Sequence, residues 1–108
     1  MAVKRLISDV LAEIRKRLGV IYGSNLRDVI LYGSWARGEA EADSDIDLLV
    51  ILDDFEDSEV ESARASPAAS EVSLKYDVVI SLLVICANDY RQRNTPLLLN
   101  IRREGVPV

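Results

Sequence analysis

"LYGSWARGEAEADSDIDLLVILDD", from Leu31 to Asp54, sets two aspartates at the head of an apolar run. Asp45 and Asp47 open a segment in which Leu48 to Leu52 are all apolar. A carboxylate is costly to bury without a partner. The run itself, "DIDLLVIL" (45–52), reads as a strand that is apolar on both faces from Leu48 onward. That pattern suits a central strand with both faces covered. Just upstream, "DVILY" (28–32) is a short β-branched run that stops at Gly33, and it reads as a second strand.

Working outward, Val3, Leu6, Ile7, Val10, Leu11, Ile14 and Leu18 recur at helical spacing. They predict an amphipathic helix over 2–18 lying on the core, with Gly19 as its C-terminal cap. The segment "DDFEDSEVESARASPAASEVSLK" is acidic and rich in Ala and Ser. Ser66-Pro67 within it predicts one broken helix, since Ser suits an N-cap and Pro a first turn. "YDVVISLLVI" (76–85) reads as a third strand region, interrupted near Ser81. "TPLLLNIRREG" (95–105) predicts a closing helix capped by Thr95 and Gly105, with Arg102 and Arg103 favourably near its C-terminus. Alternating helices and strands without repeats or linkers give an α/β (α+β) class: a small mixed sheet flanked by helices, in one domain over 1–108.

The chain has 108 residues, 49% hydrophobic and 29% charged, enough for a core and a polar surface. A net charge of −5 argues against a broad nucleic-acid-binding surface. No apolar run reaches the ~18 residues of a membrane span. The N-terminus lacks the apolar core of a signal peptide, so a cytoplasmic location is expected. With no histidine, imidazole general-base and His-Cys zinc chemistry are excluded. The single cysteine, Cys86, forms no internal disulfide and reads as a small buried hydrophobe.

The chemistry is concentrated in the opening stretch. Side chains alternate along a strand, so Asp45 and Asp47 share a face and Ile46 points away. Two close carboxylates repel, and a divalent cation between them reverses the sign; Mg²⁺ or Mn²⁺ suits such ligands. Gly33 lets the backbone turn tightly and approach a ligand. Ser34 is placed to cap a helical turn whose free N–H groups favour a phosphate. Trp35 reads as a packing residue, Tyr22, Tyr32 and Tyr90 as semi-buried, and Glu39, Glu41 and Asp43 as a solvated loop.

With those residues in view, "GSWARGEAEADSDIDLLV" resembles the signature of the polymerase-beta-type nucleotidyltransferase superfamily: Gly-Ser, a spacer, then Asp-x-Asp. Ala-Arg-Gly after Gly-Ser, Ser-Asp-x-Asp-Leu, and the tail "NIRREGV" resemble the minimal nucleotidyltransferases paired with HEPN proteins. The resemblance implies a polymerase-beta-like fold, ATP as substrate and Mg²⁺ or Mn²⁺ as cofactor. It implies that Asp45 and Asp47 hold the metal and that Asp77, in "KYDVVIS", supplies a third carboxylate on a neighbouring strand. Gly33 and Ser34 would then hold the triphosphate, and Arg37 would neutralise phosphate charge. Asp53 and Asp54, past the apolar end of their strand, are expected to face water.

The resemblance also implies the acceptor. The minimal enzymes act as antitoxins that transfer AMP to a tyrosine of a HEPN ribonuclease toxin, so a HEPN-type partner is expected here. Two other readings remain: an antitoxin that neutralises its partner by contact, and a transferase acting on a small molecule at a homo-oligomer interface.

Overall fold

The computed structural model describes residues 2–108, and the side chains of residues 6–108. The first helix, α1 (Ala2–Tyr22), buries Val10, Ile14, Leu18 and Tyr22, each one turn beyond the last. This stripe carries the helix through Gly19, where a cap was expected. The left-handed turn is made instead by Gly23, at φ 56°. A single 3-10 turn (Gly23–Asn25) leads into β1 (Leu26–Tyr32). A one-turn helix, α2 (Ser34–Arg37), and a loop then connect to β2 (Ile46–Leu52).

The third helix, α3 (Ser58–Tyr76), starts at Asp57, whose side chain accepts from the Glu59 amide at 2.9 Å. The expected break at Ser66-Pro67 does not occur. Ala65, Ala68 and Val72 are buried on either side of Pro67 and hold the helix in one piece. Pro67 and Ala63 are exposed, so the carbonyl that Pro67 leaves unpaired is open to water.

Helix α3 also runs further than expected, and β3 (Ile80–Cys86) begins later than residue 76. Asp77 stops the helix in the left-handed conformation, φ 54° and ψ 50°. Its N–H and that of Val78 both donate to the Ser73 carbonyl. Cys86 ends β3 half-buried, less enclosed than its apolar setting suggested. The helical turn expected after Gly33 is α2, whereas two elements were not anticipated as separate units: α4 (Ala87–Gln92) and β4 (Val106–Pro107). The closing helix, α5 (Pro96–Glu104), has Thr95 as N-cap and Gly105 at its end, as its sequence predicts.

The four strands form one mixed sheet in the order β3-β2-β1-β4. β1 pairs antiparallel with β2 and β4, and β2 pairs parallel with β3 through the α3 crossover. Ile46, Leu48, Val50 and Leu52 face α1 and α3, whereas Leu49 and Ile51 face Leu98 and Ile101 of α5. β2 is therefore the central strand that its sequence implied. Asp47 has the parity of Leu49 and Ile51, which puts it on the α4–α5 face of the sheet.

The tail "NIRREGV" is accounted for residue by residue. Ile101 is buried, and the Arg102 guanidinium donates to the carbonyls of Tyr90 and Arg93 and to Asn94 Oδ1, fastening the α4–α5 connection. A Cβ at Gly105 would stand 2.5 Å from both the Ile101 carbonyl and Ile30 Cγ2, so only glycine lets β4 close on β1.

Pro67 gives the first prediction. An interior proline costs a helix ~3 kcal/mol, partly offset by the stiffer unfolded chain. Pro67→Ala should raise stability by about 1–2 kcal/mol, seen as a higher urea midpoint at unchanged slope. A lower midpoint would mean that the packing of α3 on α1 requires the proline.

Candidate active site

β1 ends at Tyr32, which lies directly opposite Asp47 on β2. The chain then turns at Gly33, with φ 76° and ψ −154°, a conformation essentially reserved for glycine. A Cβ on Gly33 would fall 2.4 Å from Asp47 Oδ2. The strand-to-helix turn is thus pressed against one carboxylate of the pair. Ser34 begins α2 at once, but the N-cap position belongs to Gly33 and no side-chain cap is made. This corrects the capping role expected of Ser34. Its amide and the next ones at the start of the turn have no intrahelical acceptor.

Trp35 anchors the acidic loop. Its indole N–H donates to the Ser44 carbonyl at 3.1 Å, while Ser44 Oγ accepts from the Glu41 amide at 2.9 Å. The ring also packs against the core on the α1 side, in keeping with a structural role. This fixes the residue just before Asp45, which is exposed and immediately precedes β2.

Asp47 is half-buried. Burial, and then the nearby Asp45 charge, push its carboxyl pKa up, and Arg37 opposes them. Burial and the Asp47 charge likewise raise the Tyr32 phenol. Arg37 is exposed; its Nε donates to Glu39 at 3.0 Å, and its Nη1 lies 3.8 Å from Glu104 at the end of α5.

Asp77 does not join them. Among the described residues, no three or more Asp, Glu, Cys or His side chains gather to hold a metal. The expectation that Asp45, Asp47 and Asp77 share one point is therefore not met, because Asp77 serves as the stop of α3, before β3 begins. Asp53 is no substitute: it pairs with Arg27 at 3.3 Å and lies beyond the far end of β2, about 26 Å along the strand from Asp45. Glu39 is engaged by Arg37. Sequence reasoning missed Ser81 as a member of this face. The register sets it beside Asp47, and its polar side chain inside an apolar run was the signal.

Asp45 and the half-buried Asp47 offer carboxylate oxygens beside the Gly33 turn, donors of the kind that suit Mg²⁺ or Mn²⁺. A larger groove, of about 860 Å³ between α1 and α3, lies on the opposite face and is lined by the Glu13–Lys75 and Arg17–Glu71 ion pairs. The chemistry of the site is absent from it.

Residues 11–102 match the model of the nucleotidyltransferase domain. The chain belongs to that family. MJ0141 of Methanocaldococcus jannaschii, named as a candidate protein adenylyltransferase, is 35% identical over 78 residues, 72% of this chain and 78% of its own. Among solved structures, a candidate minimal nucleotidyltransferase superposes with a TM-score of 0.62 at 24% identity, covering 100% of this chain and 97% of that one. A complex of a tri-AMPylated Shewanella oneidensis HEPN toxin with its MNT antitoxin matches with a TM-score of 0.53 at 18% identity, over 91% of this chain and 70% of that one. These structures share the nucleotidyltransferase fold expected from the sequence. No helix among the described residues is long and apolar enough to cross a membrane.

Two predictions follow from the carboxylates. A carboxyl whose folded pKa is raised binds protons more readily when folded, so stability falls as pH rises from the ordinary carboxylate range through the raised value. Asp47→Asn should therefore melt higher than wild type at pH 7 without metal. The gap should close toward acid pH and narrow when Mg²⁺ and AMP-PNP are added together; a lower melting point at neutral pH would contradict the repulsion. For Asp77, left-handed backbone costs a non-glycine residue ~1–2 kcal/mol. Asp77→Gly should stabilise by up to about 1 kcal/mol while leaving Mn²⁺ affinity in the presence of AMP-PNP unchanged, and a tenfold loss of that binding would restore Asp77 to the metal site.

Proposed function

We propose that this chain is a cytoplasmic, metal-dependent adenylyltransferase that moves AMP from ATP to a tyrosine hydroxyl of a HEPN-type ribonuclease partner, acting as its antitoxin. The observation that carries the reading is the seat of Asp47 against Gly33. It sets backbone amides for phosphate beside a carboxylate pair for a cation, the combination that nucleotidyl transfer needs. Asp45 and Asp47 would hold Mg²⁺ or Mn²⁺, Gly33 and Ser34 the triphosphate, and Arg37 phosphate charge. When bound, the cation supplies stabilisation of charge on the attacking and leaving oxygens. The acceptor oxygen bonds to the α-phosphorus, the α–β bridge breaks, pyrophosphate leaves, and the hydroxyl proton passes to solvent.

The surface supports a protein acceptor. Asp53, Asp54, Glu56, Asp57 and Glu59 form an exposed acidic rim. Beside it a groove of about 300 Å³ includes Phe55, Leu83 and Leu97, the last two 39% and 45% exposed. An apolar groove with an acidic edge suits a basic partner, whose approach long-range attraction would speed. The name of the Methanocaldococcus relative and the AMPylated HEPN complex point the same way. That no third carboxylate gathers with the pair among the described residues favours one other reading, an antitoxin that works by contact with little transfer.

Intact-mass measurement separates the two. The chain is mixed with ATP, Mg²⁺ and a HEPN-type ribonuclease. Wild type should add AMP to the partner, whereas Asp47→Asn should still bind it and add at least a hundredfold less, the order expected for a lost transition-state contact. Complex formation should weaken with salt. A stable complex with no mass gain would support neutralisation by contact. AMP found on a small molecule instead would reassign the acceptor.

A further inference from the structure

Asp47 has one direct neighbour on each side across the sheet, Tyr32 on β1 and Ser81 on β3. Directly opposed residues on adjacent strands project to the same face, with strands about 4.8 Å apart. Tyr32 is half-buried and packs into the α4–α5 layer. Ser81 is exposed, and its neighbours on this face, Val79 and Leu83, are 58% and 39% exposed. The open side of Asp47 is therefore the Ser81 side. There β3 offers a neutral hydroxyl directly beside Asp47.

Among the described residues, no third Asp, Glu, Cys or His side chain gathers with Asp45 and Asp47. Glu39 is paired with Arg37, Asp53 sits at the far end of β2, and Asp77 caps α3. Mg²⁺ demands near-octahedral oxygen ligation and sheds water reluctantly. Two carboxylates and one hydroxyl supply only part of that shell and only part of the charge.

We propose that Ser81 is the position that limits cation affinity in this site, so that the cation settles together with the nucleotide and not before it. The proposal rests on Asp45 and Asp47 being the cation ligands. Nucleotide phosphates supply the missing oxygens and negative charge, making metal and nucleotide bind as one unit. The free protein then does not hold its metal, and nucleotide supply governs loading. A carboxylate at position 81 would remove that dependence.

Melting temperature of the full chain reads this out without activity, because a ligand that binds only the folded state raises it. Wild type, Ser81→Asp and Ser81→Asp/Asp47→Asn are each melted alone, with Mn²⁺, with AMP-PNP, and with both. Wild type should rise with Mn²⁺ and AMP-PNP together and not with either alone. Ser81→Asp should start lower, through added repulsion, and rise with Mn²⁺ alone. Calorimetry should show its Mn²⁺ affinity at least tenfold above wild type, and Asp47→Asn should erase the gain. Ser81→Glu serves if Ser81→Asp does not fold. Wild type binding Mn²⁺ alone as tightly as Ser81→Asp would overturn the proposal. So would a Ser81→Asp chain with no gain while Asp47→Asn weakens wild-type binding, since residue 81 would then face away from the cation. If Asp47→Asn alters Mn²⁺ binding in no background, the carboxylate pair is not the cation site, and the proposal falls with that assignment.

Discussion

The burial of β2 is the constraint on which the structure depends. Every residue from Leu48 to Leu52 is buried, with two helices covering one face of the strand and α5 the other. A strand enclosed in this way has room for charge only where the cover ends. Asp47 sits at that margin, half-buried, and Asp45 one step further out in water. The same alternation that buries Leu49 and Ile51 fixes the direction of Asp47. The apolar core thus aims the polar site, and a register slip by one residue would turn Asp47 toward α1 and α3.

Around that margin, small side chains and short hydrogen-bonded links do the positioning. Gly33 admits the carboxylate oxygen where any side chain would collide with it. Trp35 ties the loop back to the turn through Ser44. The far end of the chain contributes as well, since Glu104 reaches Arg37 and Gly105 lets the tail lie on β1. The C-terminal motif is therefore a structural brace for the site's outer wall.

Much of this was legible in the sequence, and the misreadings have physical causes. The apolar run at 48–52, the Gly-Ser turn and the Thr95 and Gly105 caps are local signals, and local geometry obeyed them. Gly19 and Pro67 are local signals as well, but burial outweighed them. Tyr22 extends the stripe of α1 past the first, and Ala65, Ala68 and Val72 pin α3 across the second. Asp77 was misplaced because helix and strand meet at "KYDVV", where aspartate's tolerance of left-handed backbone decides the boundary. Its neighbourhood resembled a strand, and the family resemblance implied a third carboxylate on such a strand. The interruption at Ser81 was visible in its apolar run, but its place beside Asp47 follows from the β2–β3 register, which no single-sequence pattern specifies.

The division of the site between near and distant pairings has a kinetic consequence. Gly33, Ser34, Arg37, Asp45 and Asp47 all lie within one antiparallel β1–β2 unit, closed by the 13-residue connection 33–45 that contains α2. Pairings of small sequence separation cost little loop entropy and form quickly. Ser81 arrives only with the parallel partner, after the whole of α3 has formed and crossed over. During refolding the cradle and its carboxylates would thus take shape first, with the β3 flank of β2 still bare. That interval, before β3 docks, is when the chain is most exposed to pairing with the wrong strand.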